Sequence, residues 1–584
     1  MIRFDFHDDG VLIFDQPVAT FVATTPEEVG PVLRQAEDVR RKGYWLAGFL
    51  SYEASAGIDP VLVTHPSDGF PLVWLGAYPV PKSLTDVTSN GGYHIGAWEP
   101  RVGREEYARQ VHQIREAIRA GLTYQVNYTM RWDASFSGEP YRWYHDLRRT
   151  HQGAYSAYLE VGRYVVLSAS PELFFRITGS RIWTRPMKGT APRGAFSSLD
   201  TDHYHRLRQS EKERAENIMI VDLMRNDLGR IARLGSVEVA SAWSIERYPT
   251  VWQMTSTVSA ELRPEMTWVD ALYALFPAGS ITGAPKARTM EMIQAVEPDP
   301  RGIYCGTIGY VKPNGDAVFN VAIRTVSVDR SEGRAQFGVG GGITWDSQVD
   351  AEYRELSAKA AFLEVASHAF ALVETVRVVD GCITLKDYHT DRLRQSVEYF
   401  GWAWHSEAVA EAWGRLESAG VGRFRGRLLY HADGRVETEI TPLAAGPGEM
   451  QSVAYAVKPM PPTDVWTWHK TTRRDRYLER HPAGSSVFDH LLFNDRGEVT
   501  EFTRGNLVVK MSDGLWTPPI SSGLLPGTFR QYLLDRKAVR ERIITFHDVE
   551  KAEQLWFINS VRGWVPVRLV NSAPPLTPGF PTLR

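Results

Sequence analysis

"GVGGGITWDSQVDAEYREL", Gly338 to Leu356, joins a glycine run to a helical pattern. Gly340, Gly341 and Gly342 are consecutive, so their backbone N–H groups are unshielded by side chains and open to a carboxylate. Turns use glycine too, and the run alone does not choose. The helical segment that follows carries Glu352 and Glu355, three residues apart and therefore on one helix face. A second helical segment, "SEKERAENIMIVDLMRNDLGR", places Glu213 and Glu216 at the same spacing. Either pair by itself also fits a solvated helix face. Facing each other, the two pairs make an oxygen-only site of the kind magnesium favours.

Three further stretches carry candidate chemistry. In "RPMKGTAPR", Lys188 precedes Gly189 and Thr190 in a short loop after a β-rich run. It is either a surface charge or a group held against a ligand, as anion partner or nucleophile. "FPAGSITGAPKARTMEMI" is a second glycine-rich loop entering a helix, and its Ser280, Thr282 and Gly283 suit an anion. Arg324, in "NVAIRT", follows an alternating strand and is a further anion partner.

The whole chain has 584 residues, about three to four domain-sized units. Apolar residues make up 43% and charged residues 23%, with a formal net charge of −3. That balance fits a soluble globular enzyme and gives no basic surface for nucleic acid. No apolar run approaches the roughly 20 residues that span a bilayer, and "MIRFDFHDDG" has no signal pattern. Cys305 and Cys382 are the only cysteines, which excludes a disulfide framework and points to a reducing cytoplasm.

Residues 1–95 alternate short apolar strands with turns, as in "GYWLAGFLSYEA". "GREEYARQVHQIREAIRAGLTYQVNYTMRW" reads as a helix closed at Gly121, then a strand. "ALVETVRVVDGCITLKDYHTDRLRQSVEYFG" reads as a fresh start: strand, Asp-Gly turn, strand, amphipathic helix. The expected organisation is an N-terminal region 1–95, a catalytic domain 96–367 and a C-terminal domain 368–584, in a mixed α/β and α+β class with large sheets.

"SASPELFFRI", "RPMKGTAPR", "ENIMIVDLMRNDLGRI", "GSITGAPK", "CGTIGYV" and "GGGITWDSQVDAEYRE" occur in this order over residues 100–365. Together they resemble the chorismate-utilising enzymes. The resemblance implies an anthranilate-synthase component I-like α/β sandwich of large mixed sheets. It implies Glu172 as the acid that protonates a departing C4 hydroxyl and Lys188 as a covalent nucleophile at C2. It implies Mg2+ bound directly by Glu216 and Glu355, with Glu213 and Glu352 acting through water. Gln125, Gly189, Thr190, Thr282, Gly283, Tyr310, Arg324, Gly340 and Gly341 are the implied chorismate contacts. Lysine in "MKGT", where anthranilate synthases carry alanine, implies amination at C4 to 4-amino-4-deoxychorismate. Gln125 stands where the isochorismate- and salicylate-forming members have a water-activating lysine. Gln253 stands where many relatives have histidine. Neither cysteine sits in a glutaminase-like elbow, so ammonia would come from a separate glutamine amidotransferase subunit.

"DYHTDRLRQSVEYFG", "DVWTWHKTTRRDRYLE", "EVTEFTRGNLVV" and "SGLLPGTFR" resemble the fold-type IV, class IV pyridoxal-phosphate enzymes. This implies a two-subdomain unit, Lys470 as the Schiff-base lysine, Glu501 at the pyridinium nitrogen, and Arg392, Gly527 and Thr528 on the phosphate. It also implies a homodimer through this half. The motifs leave lyase and aminotransferase open. The fusion favours a lyase that releases pyruvate and 4-aminobenzoate, against a D-amino-acid or branched-chain aminotransferase here, or an anthranilate synthase in the first half.

Overall fold

Residues 1–7, 9–82, 91–151, 153–194, 197–248, 251–360, 363, 370–444, 448–461, 465–481 and 484–570 are described in the computed structural model. The chain divides into two units, 1–193 with 203–368, and 194–202 with 369–584.

In the first unit the elements that matter for the site are β1 (Trp45–Leu50), α1 (Arg104–Arg119), β2 (Gln125–Gly138), β3 (Leu173–Thr178), β4 (Met187–Pro192) and α2 (Glu211–Gly229). They continue with β5 (Val251–Glu261), α3 (Lys286–Val296), β6 (Thr307–Val311), β7 (Ala317–Val321), β8 (Arg334–Ile343) and α4 (Val349–Ala360). Two ten-stranded sheets are present. One contains β2 and β8; the other contains β1, β3, β4, β5, β6 and β7. Phe4, Leu159 and Val166 of the first sheet pack with Phe49, Ile308 and Val318 of the second, so the sheets lie face to face. Val111 and Ile114 of α1, Ile293 of α3 and Leu356 of α4 cover the first sheet from outside. Ile220, Met224 and Leu228 of α2 join the outer core of the second. Each such side chain taken from water contributes about 1.5–3 kcal/mol, offset by the entropy of ordering it.

The N-terminal 95 residues are not a layer of their own. Ile2–Phe6 pairs with Tyr155–Val161 in the first sheet, and β1 pairs with β6 in the second. α1 ends as its sequence predicts, with Gly121 in the left-handed region at φ +72°.

The second unit begins with β9 (Ala371–Val379), β10 (Cys382–Ile383) and α5 (Lys386–Tyr399). Val379 pairs with Cys382, and both Asp380 and Gly381 have positive φ, as a two-residue hairpin turn requires. β11 (Arg423–His431) and β12 (Val436–Pro442) complete a four-stranded sheet with its own apolar cluster. A nine-stranded sheet contains β13 (Glu498–Phe502), β14 (Gly505–Met511) and β15 (Gln554–Asn559), and α6 (Thr528–Asp535) packs on it. Leu491, Leu507, Phe557 and Val567 form the core of that subdomain.

Candidate active sites

A cleft of about 1140 Å³ in the first unit is where the glycine run, both glutamate pairs and the lysine loop meet. α2 belongs to one outer layer and α4 to the other, yet Glu213, Glu216, Glu352 and Glu355 all line this one cleft. The glycines of β8 form its wall. A Cβ on Gly342 would stand 2.9 Å from Lys188 Nζ and 2.2 Å from Gln125 Nε2, so a side chain there would push the ends of both aside. Gln125 is 1% exposed, and the oxygen and nitrogen of its amide have no hydrogen-bond partner among the described residues.

The Lys188 loop is held by two side chains, Asn217 and Gln253. Asn217 Nδ2 of α2 donates to Lys188 O at 3.2 Å, and Ser256 Oγ fixes that amide at 2.6 Å. Gln253 Nε2 donates to Gly189 O at 2.9 Å while its Oε1 accepts from Thr190 Oγ1 at 3.0 Å. The glutamine at 253 is therefore a loop clamp. Gly189 adopts φ +97° with Glu213 Oε2 close behind, a conformation and a gap that only glycine fills readily. Burial pushes the Lys188 ammonium below its usual range, helped by Lys359 and opposed by Glu216.

Glu172 is 3% exposed, and burial raises its carboxyl to about 7. Ser280 Oγ donates to its Oε1 at 2.6 Å and restrains the rise. A carboxyl poised there is about half protonated at pH 7, which matches it to general-acid work. Arg324 adopts φ +49° and lies under the Tyr248 ring, 5.4 Å from its centre. Burial lowers its pKa and no carboxylate faces it among the described contacts, which leaves it suited to an incoming anion.

The glutamates are balanced by lysines. Lys359 Nζ lies 2.7 Å from Glu355 and donates to Gly340 O, and Lys212 lies 3.9 Å from Glu216. Burial and the neighbouring Glu216 raise Glu213; burial raises Glu352, although Ser347 donates to it at 2.7 Å. Among the described residues no three acidic, histidine or cysteine side chains converge as a metal cluster.

The second unit has its own cavity, about 610 Å³, lined by Arg392, Lys470, Glu501, Gly527 and Thr528 among others. Burial, Arg392 and Arg474 lower Lys470 to about 7. Burial raises Glu501 to about 8 against a 2.9 Å bond from Tyr477 Oη. Asn506 Nδ2 reaches the other Glu501 oxygen at 3.3 Å. A Cβ on Gly527 would strike Asn506 Oδ1 at 1.9 Å, so the approach to the first turn of α6 requires glycine. The free N–H groups of that turn suit a phosphate. Arg392 is aimed by Glu374, which takes its Nε at 2.9 Å and Nη2 at 2.5 Å. Burial would raise Glu374, but Arg392 and His389 hold it at about 2. His389 bridges Glu374 at 2.6 Å to Thr528 Oγ1 at 3.2 Å.

Residues 85–364 match the chorismate binding enzyme model, and residues 371–570 match the amino-transferase class IV model. An anthranilate synthase component 1 of Haloarcula marismortui is 42% identical, over 55% of this chain and 72% of that protein. The chain belongs to the chorismate-binding enzyme family. An aminodeoxychorismate synthase component 1 of Klebsiella aerogenes is 40% identical over 49% of this chain, and the chain spans only 61% of that relative's length. The crystal structure of anthranilate synthase component I from Streptococcus pneumoniae superposes with a TM-score of 0.53 at 25% identity, covering 62% of this chain and 92% of that one. The sandwich expected from the motifs is thus the fold of the chorismate-binding half.

Most of the residues named from sequence come together. Glu172, Lys188, Gly189, Thr190, Arg324, Gly340, Gly341 and the four glutamates line the cleft, with Gln125 behind Gly342. With Gln125, four do not line it; the other three are Tyr310, Thr282 and Gly283. Tyr310 is buried among Phe4, Phe6 and Trp45, because its strand turns that side chain into the inter-sheet core. Tyr304 lines the cleft instead. Thr282 Oγ1 is spent on Ala278 O at 3.1 Å, and a Cβ on Gly283 would meet Gln125 O at 2.1 Å; both shape the loop from behind. Lys212, Asn217, Lys359, Glu374 and His389 escaped sequence reading. The two lysines lie four residues from Glu216 and Glu355, a spacing that signals an ion pair.

Proposed function

We propose that this chain makes 4-amino-4-deoxychorismate from chorismate and ammonia, and then eliminates pyruvate to give 4-aminobenzoate. The observation that carries the first step is Lys188, its pKa depressed, over the Gly342 floor in the same cleft as a Glu172 that holds a proton near neutral pH. Hydroxide is a poor leaving group, so Glu172 gives its proton to the C4 oxygen, which departs as water. Lys188 Nζ forms a bond to C2 as the ring double bond shifts. Ammonia then bonds to C4, the double bond shifts back, the C2–N bond breaks and Lys188 is regenerated. Arg324 and the glycine N–H groups take the substrate's carboxylates. Glu213, Glu216, Glu352 and Glu355 line one cleft and offer only oxygen donors, the chemistry a hard divalent cation takes; they do not converge on one point here, and drawn together they would hold Mg2+, which would neutralise substrate charge there.

In the second unit the residues fit pyridoxal phosphate. Arg392, Gly527 and Thr528 would hold the phosphate, Glu501 the ring nitrogen and Lys470 the aldehyde carbon. When bound, the group supplies an electron sink for the substrate's amino-bearing carbon. Lys470, brought down to about 7 and so part neutral at that pH, can take the proton from C4 and deliver one to the departing pyruvate. Ammonia would come from a separate glutamine amidotransferase subunit, and a homodimer through the second unit is part of this reading. Cys305 and Cys382 are both free thiols, and no described helix is long and apolar enough to cross a membrane, which supports a cytoplasmic location.

The test is product analysis of the full chain with chorismate, ammonium, magnesium and pyridoxal phosphate. Equal amounts of 4-aminobenzoate and pyruvate are expected. Anthranilate as the product would overturn the first step. Accumulated 4-amino-4-deoxychorismate, with transamination of D- or branched-chain amino acids, would overturn the second.

A further inference from the structure

A second cavity of about 910 Å³ opens beside the Lys470 site. The two share Lys470, Arg474 and Arg504, but Arg392, Glu501, Gly527 and Thr528 do not line the second one. Its positive charge is therefore surplus to holding a cofactor phosphate. Arg425 comes from β11 of the small sheet, Arg504 from the turn between β13 and β14, and Arg562 from the turn after β15. Together with Arg474 and Lys470 they put five basic side chains around one space, and no Asp or Glu is among its described lining residues.

Some of this charge is anchored. Arg504 pairs with the fully buried Asp489 at 3.2 Å, and Arg474 donates to Thr503 O at 2.6 Å. No carboxylate is bonded to the Arg425 or Arg562 side chain among the described contacts. Arg504 and Arg562 both lie over the Phe488 ring, 5.6 and 5.8 Å from its centre. Phe488 meets Phe557 edge-on at 5.1 Å, so the cavity joins aromatic surface to a ring of guanidinium forks. Guanidinium groups bind carboxylates by paired hydrogen bonds, and the phenyl faces accept a flat ring.

From this arrangement we propose that Arg425, Arg504 and Arg562 are a specificity cluster that selects an unsaturated ring carrying two carboxylates and an amino group. A branched-chain amino acid brings one carboxylate and an alkyl chain, and would leave most of these cations desolvated without partners. The inference rests on the proposed second activity and names what recognises its substrate.

The experiment uses the holoenzyme and the Arg425→Ala and Arg562→Ala variants, with the visible absorbance of the bound cofactor as the check on folding. With 4-amino-4-deoxychorismate supplied, each variant is expected to raise KM about tenfold while kcat stays near wild type. Isophthalate and benzoate, added as probes, report the same site through perturbation of the cofactor's absorbance. Isophthalate is expected to bind the wild-type protein about tenfold better than benzoate, and the Arg425→Ala/Arg562→Ala double variant to lose that preference. Unchanged KM together with an unchanged probe preference overturns the cluster. Absence of turnover in the wild type with an intact isophthalate preference overturns the lyase reading alone.

Discussion

The Ser280 hydroxyl donates to Glu172 Oε1 at 2.6 Å inside an otherwise desolvating wall. Burial drives the carboxyl up to about 7, and this bond pulls the other way, with Lys188 and Arg185 adding to it. The protonation of Glu172, the proposed proton donor of the first site, is thus set by a balance, and the balance can be moved.

Formation of 4-amino-4-deoxychorismate should fall as pH rises through about 7, because the acid form of Glu172 is lost. Ser280→Ala removes a bond that stabilises the charged form. The falling limb should therefore move to higher pH. Initial rates at a fixed concentration of free ammonia, from pH 6 to 9, measure it; a limb that stays in place would separate Ser280 from the acid.

The same carboxyl affects stability. Its folded pKa lies above its ordinary 4.5, so its favourable contribution is complete below that value and disappears as pH climbs through about 7. Glu172→Gln should stabilise the first unit at pH 8.5 by on the order of 3 kcal/mol, seen as a higher Tm, and change it little at pH 4.5. Calorimetry at the two pH values gives the comparison.

Lys188→Ala should abolish 4-amino-4-deoxychorismate formation by about a thousandfold or more, since the covalent route disappears. The fold should persist, because the loop is held by Asn217 and Gln253 through backbone carbonyls and Thr190. Mass spectrometry of the products settles it, and wild-type rates would remove the covalent role.

Chelation of divalent cations should stop chorismate consumption and spare turnover of supplied 4-amino-4-deoxychorismate. The acidic quartet belongs to the first cleft, and among the described residues no acidic side chain but Glu501 lines the cavity around Lys470. Loss of both activities would contradict the assignment.

Borohydride treatment of the yellow protein should fix the cofactor on the peptide containing Lys470, identified by peptide mapping. Lys470→Ala should leave the first activity near wild type and make the mixture accumulate 4-amino-4-deoxychorismate. A reduced cofactor on another lysine would displace Lys470 from this role.

The loops were legible because their chemistry is local. A lysine before Gly189, three glycines in β8 and a glutamate pair on each of α2 and α4 announce themselves by residue type and spacing. What was illegible depends on strand facing and distant partners. Tyr310 reads as a ligand beside "CGTIGYV", but the alternation of β6 points its ring at Phe4 and Phe6. Glu374 and His389 lie fifteen residues apart on a strand and a helix, and only folding makes them one support for Arg392 and Thr528. Gln253 is sixty-four residues from Gly189, so its clamp is invisible in the chain.

The crowding at Gly342 also orders how this sequence can change. Any residue but glycine there evicts either the Gln125 amide or the Lys188 ammonium. Position 342 is therefore coupled to both, and exchanges at 188 or 125 to smaller residues open room beside it. A change at the lysine or the glutamine widens what the glycine's position accepts.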